Sequence, residues 1–146
     1  MRLKKYTDYA LRVLIYSAVS HDKVSIKDIS DTFFISAEHI RKVVHQLSKF
    51  EYIETTRGRN GGIRLHRDPA EINIGEVIRV MENDFYLVEC FDCESNRCVI
   101  TPACKLRSVL SEATQAFLAV LDNYSLHDLI SNKEELQRLL EINSPR

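Results

Sequence analysis

The sequence predicts a mostly α-helical protein with a small β-hairpin wing, in which a winged helix-turn-helix head is joined to a long dimerisation helix. Three observations carry this prediction. Residues 25–49 hold two short amphipathic segments, residues 52–66 hold a glycine turn between β-branched segments, and apolar residues recur at steps of four and three over 106–124. The first and third patterns are typical of helices with one apolar face, and the second is typical of a hairpin.

The charge of the chain is unevenly distributed over an otherwise ordinary composition. Residues 1–67 hold thirteen Lys or Arg against seven Asp or Glu, a net of +6, whereas residues 68–146 hold seven against fourteen, a net of −7. The basic half predicts contact with a polyanion, although two solvated faces would give the same totals. Since there is no signal-peptide pattern and no apolar run long enough for a bilayer, we expect a cytoplasmic protein without a membrane partner.

The first two helices are placed by their apolar spacing and by their caps. A largely buried first helix is predicted to be capped near its start by Thr7 or Asp8. A second, short helix is predicted to be capped by Ser25 and to end around Phe34.

The third helix is the candidate recognition helix, with Ser36 as its predicted N-cap. Its apolar stripe consists of Ile40, Val43, Val44 and Leu47. A second helix with a basic, hydrogen-bonding outer face fits the major groove, whereas an ordinary helical hairpin is the alternative. The candidate DNA contacts on that face are Ser36, His39, Arg41, Lys42 and His45.

The segment that follows is a candidate wing. Residues 52–56 and 63–66 are predicted strands, and GRNGG supplies the turn between them. Guanidinium groups contact phosphates or enter a narrow minor groove, so a recognition helix followed by this hairpin favours DNA binding over a solvated turn. The candidate contacts of the wing are Arg57, Arg59, Asn60 and Arg64.

The remaining chain divides into a polar segment and a helical end. A helix capped by Asn73 and running to about residue 83 closes a DNA-binding domain of residues 1–83, and residues 84–104 form a cysteine-rich loop. Residues 105–146 are predicted to hold the dimerisation helix, although an extra core helix is the alternative. A short helix capped by Ser125, a last helix over 133–142 and a frayed tail complete this prediction.

All four cysteines lie in the loop, spaced Cys90-x2-Cys93-x4-Cys98-x5-Cys104. In a reducing compartment clustered thiols indicate metal or redox chemistry rather than disulfides. Zinc stays open but matches poorly, because only Cys90 and Cys93 form a close pair and no histidine lies nearby. The wider spacing suits an iron–sulfur cluster, and a cluster-free regulator switched by thiol oxidation also stays open.

The chain resembles, end to end, the family of nitric-oxide-sensing NsrR repressors, within the wider winged helix-turn-helix family that includes the iron–sulfur regulator IscR. The motifs that carry the resemblance are MRLKKYTDYALRVL, TTRGRNGGIRL, INIGEVIRVMENDF and VECFDCESNRCVITPAC. It implies a homodimer that binds inverted-repeat operators in double-stranded DNA and is released by nitric oxide. It also implies one cluster per subunit, [4Fe-4S] or alternatively [2Fe-2S].

The same resemblance implies the ligands of the cluster. They would be Cys90, Cys98 and Cys104, with Asp8 of the partner subunit as the fourth, whereas an N-cap is the alternative role of Asp8. Cys93 has no place in this pattern and could be a spectator, a fourth ligand, or a thiol that captures the cluster during breakdown. The sequence contains no nucleophile elbow, P-loop or carboxylate pair that would predict an enzyme.

Overall fold

The computed structural model describes residues 1–142 and contains the predicted winged head. Helix α1 (Lys5–Val19) packs on α3 (Ala37–Lys49), and α2 (Ile26–Phe33) also packs on α3, to which a short turn joins it. Strands β1 (Ile53–Thr56) and β2 (Gly62–Leu65) form an antiparallel hairpin directly after α3. The order of helix, turn, helix and hairpin therefore agrees with the prediction.

Four further α-helices follow the wing within the described residues. They are α4 (Ile74–Glu82), α5 (Lys105–Leu121), α6 (Leu126–Leu129) and α7 (Lys133–Leu139). The predicted last helix over 133–142 ends three residues early, because the chain turns at Leu140 and Glu141 takes a left-handed φ of 55°. The fraying predicted for residues 143–146 lies outside the described part of the chain.

The core joins the head to the C-terminal helices. Leu14, Ile40 and Ile78 are fully or almost fully buried on α1, α3 and α4, and Leu126 of α6 is fully buried beside them. Burying a side chain of this size stabilises the fold by about 1.5–3 kcal/mol. Helices α4 and α6 are thus part of the same packed unit as the recognition helix.

Local capping signals placed most of the helices correctly. Ser25 and Asp28 form a full capping box at α2, and the Ser36 hydroxyl accepts the His39 N–H at 3.3 Å at the start of α3. Asn73 caps α4 by accepting the Glu76 N–H at 3.0 Å. Helix α2 ends one residue before the predicted position, because Phe34 takes a left-handed φ of 55°.

The predicted cap of α1 is wrong. The helix begins at Lys5, so Thr7 and Asp8 lie inside its first turn, and Lys4 at the N-cap position makes no side-chain cap bond. The carboxylate of Glu82, at the end of α4, instead accepts the Lys4 N–H at 2.7 Å and the Thr7 hydroxyl at 2.6 Å. A cap supplied by another helix leaves no local signal in the sequence.

The wing is also tied to the loop between α1 and α2. The Val24 N–H donates to the Ile63 carbonyl at 2.9 Å, and the Ile63 N–H donates back to the Val24 carbonyl at 2.8 Å. A Cβ on Gly62 would lie 2.9 Å from the Cβ of Lys23, so this close approach requires glycine. Strand β2 is therefore hydrogen-bonded on both of its edges, by β1 and by Val24.

Helix α5 presents much of its apolar surface to solvent. Leu106, Val109 and Val120 are 62%, 58% and 58% exposed, and Thr114 is the one buried residue of the helix. The predicted long helix is present, but the described chain leaves these three side chains largely exposed, whereas Leu118 and Leu121 pack against the core. No helix between residues 1 and 142 has the length and hydropathy to cross a membrane.

Candidate DNA-binding surface and metal centre

The exposed face of α3 carries the predicted recognition residues. Ser36, His39, Arg41, Lys42 and His45 are all exposed, whereas the predicted apolar stripe of this helix is buried. The hydrogen bond and charge of Lys42, at 3.0 Å, hold the pKa of Glu38 below its ordinary value. Since this pair is exposed, a phosphate can compete with Glu38 for the Lys42 ammonium.

The tip of the wing presents three of its four candidate residues. Arg57, Arg59 and Asn60 are exposed around Gly58, which has a φ of 98°. A Cβ on Gly61 would lie 2.2 Å from the Thr56 carbonyl oxygen, so the tightness of this turn depends on glycine.

Arg64 lies away from that tip. It stands directly opposite Glu54 in the hairpin, and its guanidinium forms an ion pair with the Glu54 carboxylate. The hydrogen bonds from Arg64 and His66 hold the pKa of Glu54 below its ordinary value. Arg64 would therefore have to leave or share this carboxylate to bind a phosphate.

The four cysteines lie where the sequence predicts, on the irregular segment before α5. Cys90 and Cys104 are half-buried, Cys93 and Cys98 are exposed, and all four are free thiols. Within residues 1–142 no group of three or more His, Cys, Asp or Glu side chains is arranged to hold a metal ion. The chain thus does not bring Cys90, Cys98 and Cys104 together, and the ligand set stays a prediction.

Polar side chains hold the backbone of this segment without covering its thiols. The Asp92 carboxylate accepts the Glu94 N–H at 3.0 Å and the Ser95 hydroxyl at 2.6 Å, and these bonds lower the pKa of Asp92. The Asn96 side chain accepts the Cys98 N–H at 3.0 Å. Thiolates are soft ligands of the kind that hold iron–sulfur clusters, so free thiols on a locally ordered loop suit such a cluster.

The loop is attached to α5 at its beginning and its end. Cys104 immediately precedes the helix, and the Arg107 Nε donates to the Cys90 carbonyl at 3.1 Å. A groove of about 630 Å³ lies between the loop and the helix, with Phe85 and Phe91 among its lining residues. The cysteine segment is therefore in direct contact with the first turn of α5.

Asp8 is half-exposed on the first turn of α1. Its carboxylate accepts hydrogen bonds from Arg12 at 2.7 and 3.2 Å, and the Arg12 guanidinium lies 5.7 Å from the ring centre of Phe33. Sequence reasoning missed this partner, although the i, i+4 spacing of Asp8 and Arg12 was a readable signal. Asp8 is therefore not a cap but one half of an ion pair beside the end of α2.

Known proteins with similar sequences and structures were found over almost the whole chain. The transcriptional regulator NsrR of Oceanobacillus iheyensis is 55% identical over 144 residues, covering 97% of this chain and 98% of the relative. The structure of CymR, the global cysteine regulator of B. subtilis, is 28% identical with a TM-score of 0.72, covering 90% of this chain and 98% of that one. The structure of T. potens IscR is 25% identical with a TM-score of 0.70, covering 94% and 91%.

The family model described as an iron-dependent transcriptional regulator, Rrf2, matches residues 3–132. The match spans the winged head, the cysteine segment and α5, and the resemblance predicted from four motifs is confirmed. The members of this family regulate transcription and are not enzymes. The chain belongs to the Rrf2 family of iron-dependent transcriptional regulators.

Proposed function

We propose that this regulator is a homodimeric repressor that senses nitric oxide through an iron–sulfur cluster and leaves its operator when the cluster is nitrosylated. The observation that carries the proposal is the presence of four free thiols, two exposed and two half-buried, on the segment that leads into α5, in a chain 55% identical to an NsrR regulator. When bound, the cluster supplies iron that reacts with nitric oxide. The genes controlled would be those that answer nitrosative stress.

Three thiolates and one carboxylate form the proposed ligand set. Cys90, Cys98 and Cys104 would hold a [4Fe-4S] cluster, or alternatively a [2Fe-2S] cluster, together with Asp8 of the partner subunit. Soft thiolates bind cluster iron better than a carboxylate does, so the aspartate would be the ligand most easily displaced. Cys93 is as exposed as Cys98 and remains the competing fourth ligand.

Asp8 would then exchange between two partners. Its carboxylate pairs with Arg12 in the described chain, and the cationic Arg12 lies over Phe33 at the end of α2. A carboxylate released from iron would be recaptured by this neighbouring guanidinium. Since Phe33 directly precedes the turn into α3, the exchange would act where the recognition helix is held.

The dimer would form through α5. Pairing two copies of this helix would bury Leu106, Val109 and Val120, which the single chain leaves exposed. Two recognition helices must lie about one DNA turn, roughly 34 Å, apart to fit adjacent half-sites. A small change in the distance or angle between the two heads of the dimer would therefore suffice to lower operator affinity.

A cluster-free thiol regulator is the second candidate. The specific observation in its favour is the exposure of Cys93 and Cys98, which oxidants would reach without prior loss of metal. Such a protein, like a zinc-stabilised one, would be colourless when purified without oxygen.

One experiment separates these functions. The full-length protein is purified anaerobically, its iron, sulfide and zinc are measured, and duplex binding is titrated before and after nitric oxide. We expect iron and sulfide in the wild type and in Cys93→Ala, their loss in Cys98→Ala, and weaker duplex binding after nitric oxide. Asp8→Ala should alter the nitric oxide response more than it alters the salt dependence of binding. Wild-type protein that lacks iron and sulfide yet binds the duplex normally would refute the proposal.

A further inference from the structure

Two tyrosines of α1 flank the first turn of the recognition helix. The ring of His39 lies 5.9 Å from that of Tyr6, edge to face at 90°, and 6.3 Å from that of Tyr9. The two tyrosine rings are 6.5 Å apart, so the three rings form one cluster. The DNA-facing surface at His39 is therefore continuous with the start of α1.

Basic side chains extend this cluster on both helices. Lys42 lies beside it on α3, and its pKa is raised mainly by the hydrogen bond and charge of Glu38 and to a smaller extent by Tyr6. Lys5 is exposed and stands four residues before Tyr9, which places both on one face of α1. Tyr6 is itself exposed, and it interacts electrostatically with the Lys42 ammonium.

We infer that the first turn of α1 is a second DNA-contacting element, in which Lys5 and Tyr6 bind operator phosphates beside the recognition helix. The inference rests on the proposed DNA contacts of α3 and extends that surface by continuity. Lysine ammonium and tyrosine hydroxyl groups are donors that proteins use for phosphate oxygens. Tyr9 contributes by packing against His39 and not by contacting DNA.

The side chains, and not the helix end, supply this contact. The N-terminus of α1 is occupied by the Glu82 carboxylate, which accepts the Lys4 N–H at 2.7 Å and leaves that end unsuited to a phosphate. Lys4 is also engaged, because its ammonium pairs with Asp84 at 3.3 Å.

The test compares phosphate-contact variants with matched controls in the full-length protein. The probe is a duplex selected by the wild type from a random pool, with an unrelated duplex of equal length beside it, each titrated over a salt series. Lys5→Ala should weaken binding to both duplexes alike and reduce the slope of log affinity against log salt by about 1. Tyr6→Phe keeps the ring beside His39, and loss of its hydroxyl should weaken binding about threefold to tenfold.

The controls distinguish this inference from the function it rests on. Lys133→Ala on α7 and Tyr86→Phe at the start of the cysteine-rich loop should leave affinity and slope unchanged. If Lys5→Ala and Tyr6→Phe behave like these controls while Arg57→Ala weakens binding, the α1 contact is refuted and the winged head stands. If Arg57→Ala has no effect either, the proposed DNA surface fails together with its extension.

Discussion

Replacing Glu82 should destabilise the start of α1, which lies 75 or more residues earlier in the sequence. The residue ends α4, is 5% exposed, and accepts hydrogen bonds from the Lys4 N–H at 2.7 Å and the Thr7 hydroxyl at 2.6 Å. Thr7 is itself fully buried. Glu82→Ala would leave both donors without an acceptor and remove the cap of α1.

The expected loss follows from these two bonds. A hydrogen bond to a charged group contributes about 1.5–3 kcal/mol, and a lost helix cap costs about 1 kcal/mol. Removing a buried carboxylate also regains part of its desolvation cost, which offsets some of this loss. We therefore expect Glu82→Ala to lower the free energy of unfolding by about 2–4 kcal/mol, and Glu82→Gln by less, because an amide oxygen can still accept.

Urea unfolding followed by circular dichroism measures this loss, with Glu134→Ala on the exposed first turn of α7 as the control. The sharper test is a cycle with Thr7→Val. That substitution should be costly in the wild type but nearly neutral in the Glu82→Ala chain, where the hydroxyl has no acceptor to lose. A loss below about 1 kcal/mol for Glu82→Ala, or strict additivity of the two substitutions, would refute the capping role.

Three further predictions follow from packing and titration. Gly75→Ala should lower the free energy of unfolding, measured with urea, by about 1–3 kcal/mol through overpacking, because its Cβ would lie 2.0 Å from the Asp122 carboxylate. Asp122→Ala in the same chain should recover most of that loss. Gly61→Ala should weaken duplex binding about tenfold in a titration with little effect on urea unfolding, because its Cβ would lie 2.2 Å from the Thr56 carbonyl in the wing turn. Hydrogen bonds from Arg79 hold the pKa of Asp122 below its ordinary 3.8, so its stabilisation is present above that pH and is lost as the pH falls further. Asp122→Asn should therefore reduce the acid sensitivity measured by urea unfolding across this pH range.

Features that depend on a few neighbouring residues were readable from the sequence. The caps at Ser25, Ser36 and Asn73 each bond a backbone N–H three residues ahead, so residue type and position suffice to predict them. The apolar stripe of α3 and the turn of the wing are local patterns of the same kind. The family resemblance was readable because it rests on whole motifs spread over the chain.

Features that join distant segments were not readable. Glu82 and Thr7 are 75 residues apart, and Val24 pairs with Ile63, from which the whole recognition helix separates it in the sequence. No periodicity links such pairs, since only the packed fold brings them together. The cysteine spacing likewise names candidate donors without fixing their geometry, and the proposed ligand set includes a residue of the partner subunit.

Helix α1 is the element through which the cysteine segment can act on the DNA surface. On one side Glu82, two residues before the segment that leads to the cysteines, holds the start of the helix at Lys4. On the other side Tyr6 packs against His39 of the recognition helix. Coupling through such a contact requires an element with two arrangements, and the Arg12 partner of Asp8 supplies one of them. Arg12→Gln keeps most of the side chain but removes its charge. It should therefore change the duplex affinity of cluster-free protein and leave the duplex affinity of cluster-loaded protein nearly unaltered, both measured by anaerobic titration. Equal effects in the two forms would exclude Arg12 as the alternative partner of Asp8.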